Sequence, residues 1–512
     1  MLGKDFIPFK QVANFLGINA KDSISNMLDG EWDEDSINIR SKPQGGVGSR
    51  PGYTALTTAS VGAAVAWTGF FQYRTSAKAN YFIGGASDGK LYRYTAGAYQ
   101  DIGAGFKADA DARLSFAVLD DICVIADGDT VLRKYTGSGS AGTLGGTALT
   151  SDWVVDYAQR VLAHSTLDPR LLYYHPTISS VESGMTSILN FDEDSEEIVG
   201  ACKQGADLLV FKNWGGYRVT YTGSEPIYTK DRLDAAIGPV NHWVIKELPD
   251  GRVMFFGSDD NFYLMSGNMY LRVGDNIKPY MQSGIASRKE YAVAGLLHEE
   301  NQYWLSFSRL ASSTTNDRTV VMDWSRPYSD RWGNVQFPWF VYSIPANCFA
   351  EVFTSGSSYL WHGGYTGKMY RDNSGTSDDG VAFASTYKSK PLGFGDDSLN
   401  KKFSKLFIVY DTKGDYELDI SFLMDQNAST QKVIEQSMLG GVGGQSLFGV
   451  AKFSEDSFSG ETDADVGRDI DQIGKLMQLT FGTDGLSEAW NVIDYTILVK
   501  GLRRGVIRGR ES

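Results

Sequence analysis

The sequence predicts an all-β protein, a β-propeller of about seven blades followed by a C-terminal β-sandwich. Three observations predict it. Residues 251–275, GRVMFFGSDDNFYLMSGNMYLRVGD, write three short strands at 252–256, 261–265 and 269–273. Gly257-Ser258-Asp259-Asp260 and Ser266-Gly267-Asn268 separate them as turns, so the stretch reads as an antiparallel meander. The same unit recurs at a spacing of roughly 30–50 residues, the period of stacked or radially repeated sheets. The composition agrees: 27 Tyr, 27 Phe, 11 Trp and 57 Gly against 13 Pro favour pleated, glycine-punctuated strands over helices.

Residues 1–54 hold a short helix or strand at 12–16, a polar turn at 22–26 and an alternating strand at 37–40. This segment is expected to join the sandwich or to close the propeller. The propeller is expected over 55–380. Its first unit is 81–84 and 90–94 around the turn Ser87-Asp88-Gly89; its second is 114–119, 122–126 and 131–135 around Asp127-Gly128-Asp129. The third holds 154–157, 160–164 and 170–174, and the fourth 198–202, 208–212 and 217–221. The stretch at 251–275 is the fifth. The sixth holds 292–297, 303–308 and 319–323 and ends in Trp332, Phe337, Trp339 and Tyr342; the seventh holds 349–354, 359–362 and 368–371. A sheet this thin buries too little surface alone, so each blade needs the next. Tandem sandwiches would show the same strand density, but a repeated Asp-Gly turn at similar places favours blades. No WD, kelch or Asp-box signature is present.

From 381 to 512 the strands lengthen and alternate, at 385–390, 402–410, 416–424, 476–481 and 495–499, as one sandwich would require. Within it, 439–467 is glycine-rich and then acidic, and reads as an insertion with an interaction or gating role.

Charge and cysteine usage narrow the function. A formal net charge of −14 and a pI near 4.9 argue against tight nucleic-acid binding. Cys123, Cys202 and Cys348 are odd in number and lack C-x-x-C spacing, so they read as buried free thiols. The opening MLGKDFIPFK lacks the apolar core of a signal peptide, and the most apolar run, 61–71, is too short to cross a bilayer.

Several segments, taken in order, resemble the β-propeller tail nozzle or tail-hub proteins of short-tailed bacteriophages. Leu28-Asp29-Gly30-Glu31, Ser36-Ile37-Asn38-Ile39 and Ser49-Arg50-Pro51-Gly52-Tyr53 are similar to that family's opening. Ala158-Gln159-Arg160-Val161-Leu162 and Asp168-Pro169-Arg170-Leu171-Leu172-Tyr173-Tyr174 are similar to its middle. Leu208-Leu209-Val210-Phe211-Lys212 with Tyr217-Arg218-Val219, and then 251–265, resemble successive blades. Tyr387-Lys388-Ser389-Lys390 and Lys402-Phe403-Ser404-Lys405-Leu406 resemble the start of its sandwich. The resemblance implies a structural virion protein, made in the host cytoplasm and built into the tail. It also implies a homo-oligomeric ring, sixfold, that conducts the genome during ejection and contacts a tail adaptor and fibres or spikes. DNA would pass through without specific binding. The insertion at 439–467 has no counterpart in that pattern.

A propeller-type carbohydrate-active protein, a depolymerase or lectin, is the alternative, since paired acids serve glycoside hydrolysis. Asp33-Glu34-Asp35, Asp192-Glu193-Asp194 with Glu196-Glu197, and Asp378-Asp379 are its candidates, though each falls in a hydrophilic turn where solvated carboxylates are ordinary. His164, His175, His242, His298 and His362 form no zinc-binding pair, and His164 and His242 read as structural. No nucleophile elbow occurs. Asp127-Gly128-Asp129 and Asp372-Asn373 read as turns rather than Ca²⁺ loops, because EF-hand spacing is missing. The expectation is therefore no enzyme, no cofactor, no metal and no stable membrane insertion. Lys500, Arg503, Arg504, Arg508 and Arg510 concentrate basic charge at the C-terminus of an acidic chain, and are the candidates for docking on a neighbouring subunit or partner.

Overall fold

The computed structural model describes the chain except residues 1–6, 13, 24–25, 43–44, 147, 177–180, 234–236, 355, 395–398, 412–413, 439–462 and 502–512. The docking candidates Arg503, Arg504, Arg508 and Arg510, and most of the 439–467 insertion, lie outside the described residues. The chain forms two compact units. One comprises Tyr53–Ser325 and Ser343–Ser374; the other comprises Met1–Gly52, Arg326–Tyr342 and Gly375–Ser512.

The first unit is a propeller of seven antiparallel sheets met in chain order. Blade 1 is Trp67–Arg74, Asn80–Ala86, Lys90–Thr95 and Ala98–Ala104. Blade 2 opens on Ser115–Leu119, blade 3 on Val154–Tyr157, blade 4 on Ile198–Gln204 and blade 5 on Lys246–Glu247. Blade 6 opens on Val293–Leu297 and blade 7 on Cys348–Thr354. Each opening strand lies against that of the next blade, and Cys348–Thr354 lies against Trp67–Arg74, so the circle closes. Closure is reinforced at the rim. The outermost strand of blade 7 is Thr54–Ala55, which pairs with Tyr370 and Arg371. The Leu56 N–H then donates to the Met369 carbonyl at 3.0 Å.

The propeller's core sits between blades. Ile83, Leu91 and Phe106 of blade 1 share one apolar cluster with Leu114, Cys123 and Ile125 of blade 2. Val124 and Leu132 share another with Val161 and Ala163, and Leu162 and Leu172 a third with Leu208 and Val210. Trp67 and Phe70 join Val352, Trp361 and Met369 across the closing seam. The sheets approach closely there: a Cβ on Gly363 would stand 2.4 Å from the Trp67 Cβ, so only glycine fits. The Asp-Gly turns form as their residues require. Gly128 takes φ +78°, and Asp127 accepts the N–H groups of Asp129 and Thr130 at 3.1 and 2.8 Å.

The second unit is the β-sandwich. One sheet runs Ile39–Ser41, Val47–Ser49, Asn491–Gly501, Lys401–Asp411 and Asp463–Gly474, with Ile7–Val12 also paired to Asn491–Gly501. The other runs Ser385–Lys388, Met477–Thr483, Glu417–Met424 and Lys432–Ser437. Alternation is plain in Glu417–Met424, where Leu418, Ile420, Phe422 and Met424 are buried between exposed or half-buried neighbours. In Lys401–Asp411 a bulge between Phe403 and Lys405 resets the alternation, so Phe403 and Leu406 both point inward. Tyr387 and Tyr495, one from each sheet, meet through their hydroxyls at 3.4 Å, and the Trp490 indole N–H donates to the Ser385 hydroxyl at 2.7 Å.

Two boundaries differ from the sequence reading. Residues 326–342 and 375–380, expected in the propeller, group with the sandwich unit, although Trp339–Tyr342 is, as expected, the fourth strand of the blade 6 sheet. Trp339–Tyr342 lies against Gly17–Ile18 and Ile39–Ser41, Phe340 stacks on the buried Trp32, and the Asn38 N–H donates to the Val341 carbonyl. An aromatic run shows that a strand is buried without showing against what. The insertion ends earlier than 467: Asp463–Gly474 is a strand whose first residues pair with the end of Lys401–Asp411. Acidic, glycine-containing residues on an outer strand look like loop.

Candidate functional site

The candidate acids are held by their own surroundings. Lys388 Nζ lies 2.6 Å from Asp35 and 3.5 Å from Asp33. Asp194 pairs with the buried Lys212, Glu193 with Lys230, and Arg170 stands 3.7 Å from Asp192. Burial pushes the Asp194 carboxyl up, but Lys212 and the Glu196 N–H outweigh it and hold the group below the usual range. Glu196 accepts the Trp214 N–H at 2.9 Å, while Glu34 and Glu197 are exposed. Asp378 takes both terminal nitrogens of Arg50, at 2.9 and 2.6 Å, and Arg50 Nε donates to Asn38. The Arg50 guanidinium also lies 4.0 Å from the centre of the Phe383 ring. These acids brace loops. The sequence reading missed one carboxyl pair, Glu417 and Glu435 on neighbouring strands of the sandwich. Their mutual hydrogen bond, and then repulsion, raise the Glu417 pKa. Residues two apart on paired strands betray such a meeting only once the register is known.

The histidines are structural parts of the propeller. The Trp153 indole is sandwiched between His164 and His242, at centroid distances of 5.1 and 4.8 Å and within 8° of parallel. His164 is fixed by Asp152 at 2.6 Å. His242 is depressed to about 3 by burial and is neutral; its Nδ1 accepts the Ala201 N–H at 3.4 Å. His362 meets Asp372 at 2.7 Å with both side chains buried, and Asp127 spends its oxygens on turn amides. Among the described residues no cluster of three or more His, Cys, Asp or Glu side chains is arranged to hold a metal ion. Burial pushes the Cys348 thiol up to about 12, as for an inert buried cysteine; Cys202, expected to be buried, is half-buried, because its strand is only partly covered.

The propeller axis is where blades converge. Trp153 and His242 fill one side of it. Beside them is a cavity of about 120 Å³ lined by Thr68, Gly69 and Phe70 of blade 1, Arg113 and Leu114 before blade 2, and His242, Trp243, Ile245 and Lys246 around the start of blade 5. Val293, Ala294, Cys348 and Phe349 complete the lining from blades 6 and 7. Polar side chains stitch neighbouring blades around it. Asn347 donates to the Trp67 and Ala110 carbonyls, each at 2.9 Å, and Asn241 to those of Glu290 and Ala292, each at 2.8 Å.

Of the basic C-terminal candidates, Lys500 lies on Asn491–Gly501 opposite Lys402 and is half-buried. The other four lie outside the described residues. Exposed apolar side chains stand on outer blade edges instead: Met269 and Leu271 alternate along the last strand of blade 5, and Ile188 is on that of blade 3.

The fold and its axis define the class: a seven-bladed β-propeller and a β-sandwich in one chain. No protein-family model matches the sequence, and no curated protein sequence matches it. Among solved structures it is similar to YCF48 from Cyanidioschyzon merolae, at 10% identity and a TM-score of 0.38, covering 63% of this chain and 98% of that one. It is also similar to the computationally designed Ika8 protein (12% identity, TM-score 0.36, 62% and 99% covered). A third is BamB from Moraxella catarrhalis (8% identity, TM-score 0.36, 72% and 97% covered).

Proposed function

We propose that this chain is a structural virion protein, a tail nozzle or hub subunit of the kind found in short-tailed bacteriophages. Copies assemble head-to-tail through heterologous contacts that close into a sixfold ring. The ring is a conduit for genome ejection and a platform for the adaptor and for fibres or spikes. The observation that carries the reading is the role of the residues behind the sequence resemblance. They belong to the framework: Arg50 is buried on Asp378, Ala158-Gln159 form a left-handed hairpin turn at φ +49° and +57°, Lys212 is buried on Asp194, and Tyr387 bridges the sandwich sheets. A segment order kept for framework residues suits a building block.

Most candidate acids of the carbohydrate-active alternative are paired within their own loops, and no carboxylate lines the axial cavity. An excess of negative charge repels phosphates, so DNA on the ring axis between subunits slides without sticking. Negative-stain imaging of the purified chain, alone and with tail adaptor, tests the reading. Rings that cap the adaptor are expected. Dispersed single particles together with polysaccharide turnover would replace it with the enzyme reading.

A further inference from the structure

The sandwich leaves one strand edge open. Asp463–Gly474 is the last strand of its sheet: it pairs with Lys401–Asp411 on one side, and among the described residues no strand pairs with it on the other. An unpaired edge presents a row of backbone N–H and C=O groups that a further strand can take up. The open length is 463–469. Beyond it the register breaks at the bulge between Phe403 and Lys405, and the Lys432 ammonium donates to the Asp469 and Ile470 carbonyls at 3.3 and 3.0 Å. A bulge and a lysine are what close a strand edge to further pairing.

The chain carries a segment whose sequence complements that edge. Residues 463–469 read Asp-Ala-Asp-Val-Gly-Arg-Asp, and residues 504–510 read Arg-Gly-Val-Ile-Arg-Gly-Arg. Laid antiparallel with Arg504 opposite Asp469, the second run places Arg508 opposite Asp465 and Arg510 opposite Asp463. Ile507 then stands opposite Val466, Val506 opposite Gly467, and Gly505 opposite Arg468, so no like charges face each other. Directly opposed residues are the unit of sheet stabilisation, and opposite charges there attract. A parallel register would carry Arg510 to Asp471, past the bulge.

We propose that residues 504–510 of one copy add an antiparallel strand to the 463–469 edge of a second copy. The chain's own C-terminus does not reach that edge. Gly501 and Gly474 both pair with Lys401, so Asn491–Gly501 ends level with Gly474. Asp469 pairs with Lys405, which lies back along the sheet by about 13 Å at the usual strand rise. Asn491–Gly501 and the open edge are also separated by Lys401–Asp411 and Asp463–Gly474, so an added strand lies three spacings away, about 14 Å. The three residues from Gly501 to Arg504 extend about 11 Å at most. The donor is therefore another copy. The contact joins two different surfaces, the head-to-tail kind that closes a ring. The inference rests on the proposed self-assembly and names the contact that makes it.

The test uses the full chain with the photo-crosslinker p-benzoylphenylalanine in place of Ile507, mixed with isotope-labelled full chain, irradiated and mapped by peptide mass spectrometry. The expected result is crosslinks from position 507 to residues 464–468 of the labelled copy. Arg504→Glu with Arg508→Glu in both copies should cut their yield at least tenfold. Adding Asp465→Lys with Asp469→Lys to the same chains should restore it. Crosslinks that fall elsewhere or only within one chain, or a yield that the arginine substitutions leave unchanged, would overturn the inference. Mass photometry of the same samples separates it from the ring itself. A closed ring crosslinked elsewhere keeps the ring and rejects the added strand. Copies crosslinked at 464–468 without a closed ring keep the added strand and reject the ring.

Discussion

If the propeller is closed at one seam, that seam carries stability for both its ends. Trp361 is the place to test this. It is 8% exposed and packs its ring 5.2 Å from Phe82, 5.9 Å from Phe70 and 6.2 Å from Tyr94, so a blade 7 residue is embedded in blade 1. Trp361→Ala removes a large buried side chain and is expected to cost about 3–5 kcal/mol. Its indole N–H has no partner, so no hydrogen bond is lost, and the aromatic pairs add about 0.5–1.5 kcal/mol each to what burial alone gives. Trp361→Phe keeps a ring and drops the orphan donor, and should cost less than half as much. Urea unfolding followed by far-UV circular dichroism measures both. Hydrogen exchange then reports where the chain loosens. Closure predicts lost protection in residues 67–95 as well as 348–371. Trp214→Ala, at a 58% exposed turn position, is the control and should stay within about 0.5 kcal/mol of wild type. Trp361→Ala costing no more than that control, or loosening confined to 348–371, would refute the closed seam.

Three other outcomes follow from the same geometry. Asp378→Ala strands the buried Arg50 and should destabilise the sandwich unit by about 3–5 kcal/mol, whereas Arg50→Met with Asp378→Leu should recover most of it in urea melts. Asn347→Leu orphans the Trp67 and Ala110 carbonyls and should cost about 2–4 kcal/mol by the same assay. Asp194, held low by Lys212 against the opposing effect of burial, contributes stability above the unfolded carboxylate pKa of about 3.9 and loses it as pH falls through its folded value. The melting gap between wild type and Asp194→Asn should therefore be widest near neutrality and narrow below about pH 4.

Most middle and inner strands of the blades were readable from the sequence because β-formers there alternate with Gly and Asp turns, as at 251–275, though Trp67–Arg74 and Lys246–Glu247, which open blades 1 and 5, were not. Most outer strands were not, 269–273 excepted. Ser187–Asn190 and Tyr228–Arg232 are partly exposed and polar, and an edge strand keeps little of the apolar pattern that marks a buried one. Thr54–Ala55 is two residues long and finds its partner more than 300 residues away, so no local signal shows it. Distance in sequence also hid the polar sites. Arg50 and Asp378 are 328 positions apart, and Thr68, Arg113 and Trp243 share a cavity only because the ring brings their blades together. The acids drew attention as runs, but pairing with Lys212, Lys230 and Lys388 is a property of the folded loops.

Mass photometry of the purified full chain across concentration tests the central claim, that this protein is a self-assembling ring subunit. The account predicts a discrete closed species at six times 56.2 kDa, about 337 kDa, growing at the expense of the single chain as concentration rises. A single-chain mass at every concentration, unchanged by adding tail adaptor, would contradict it.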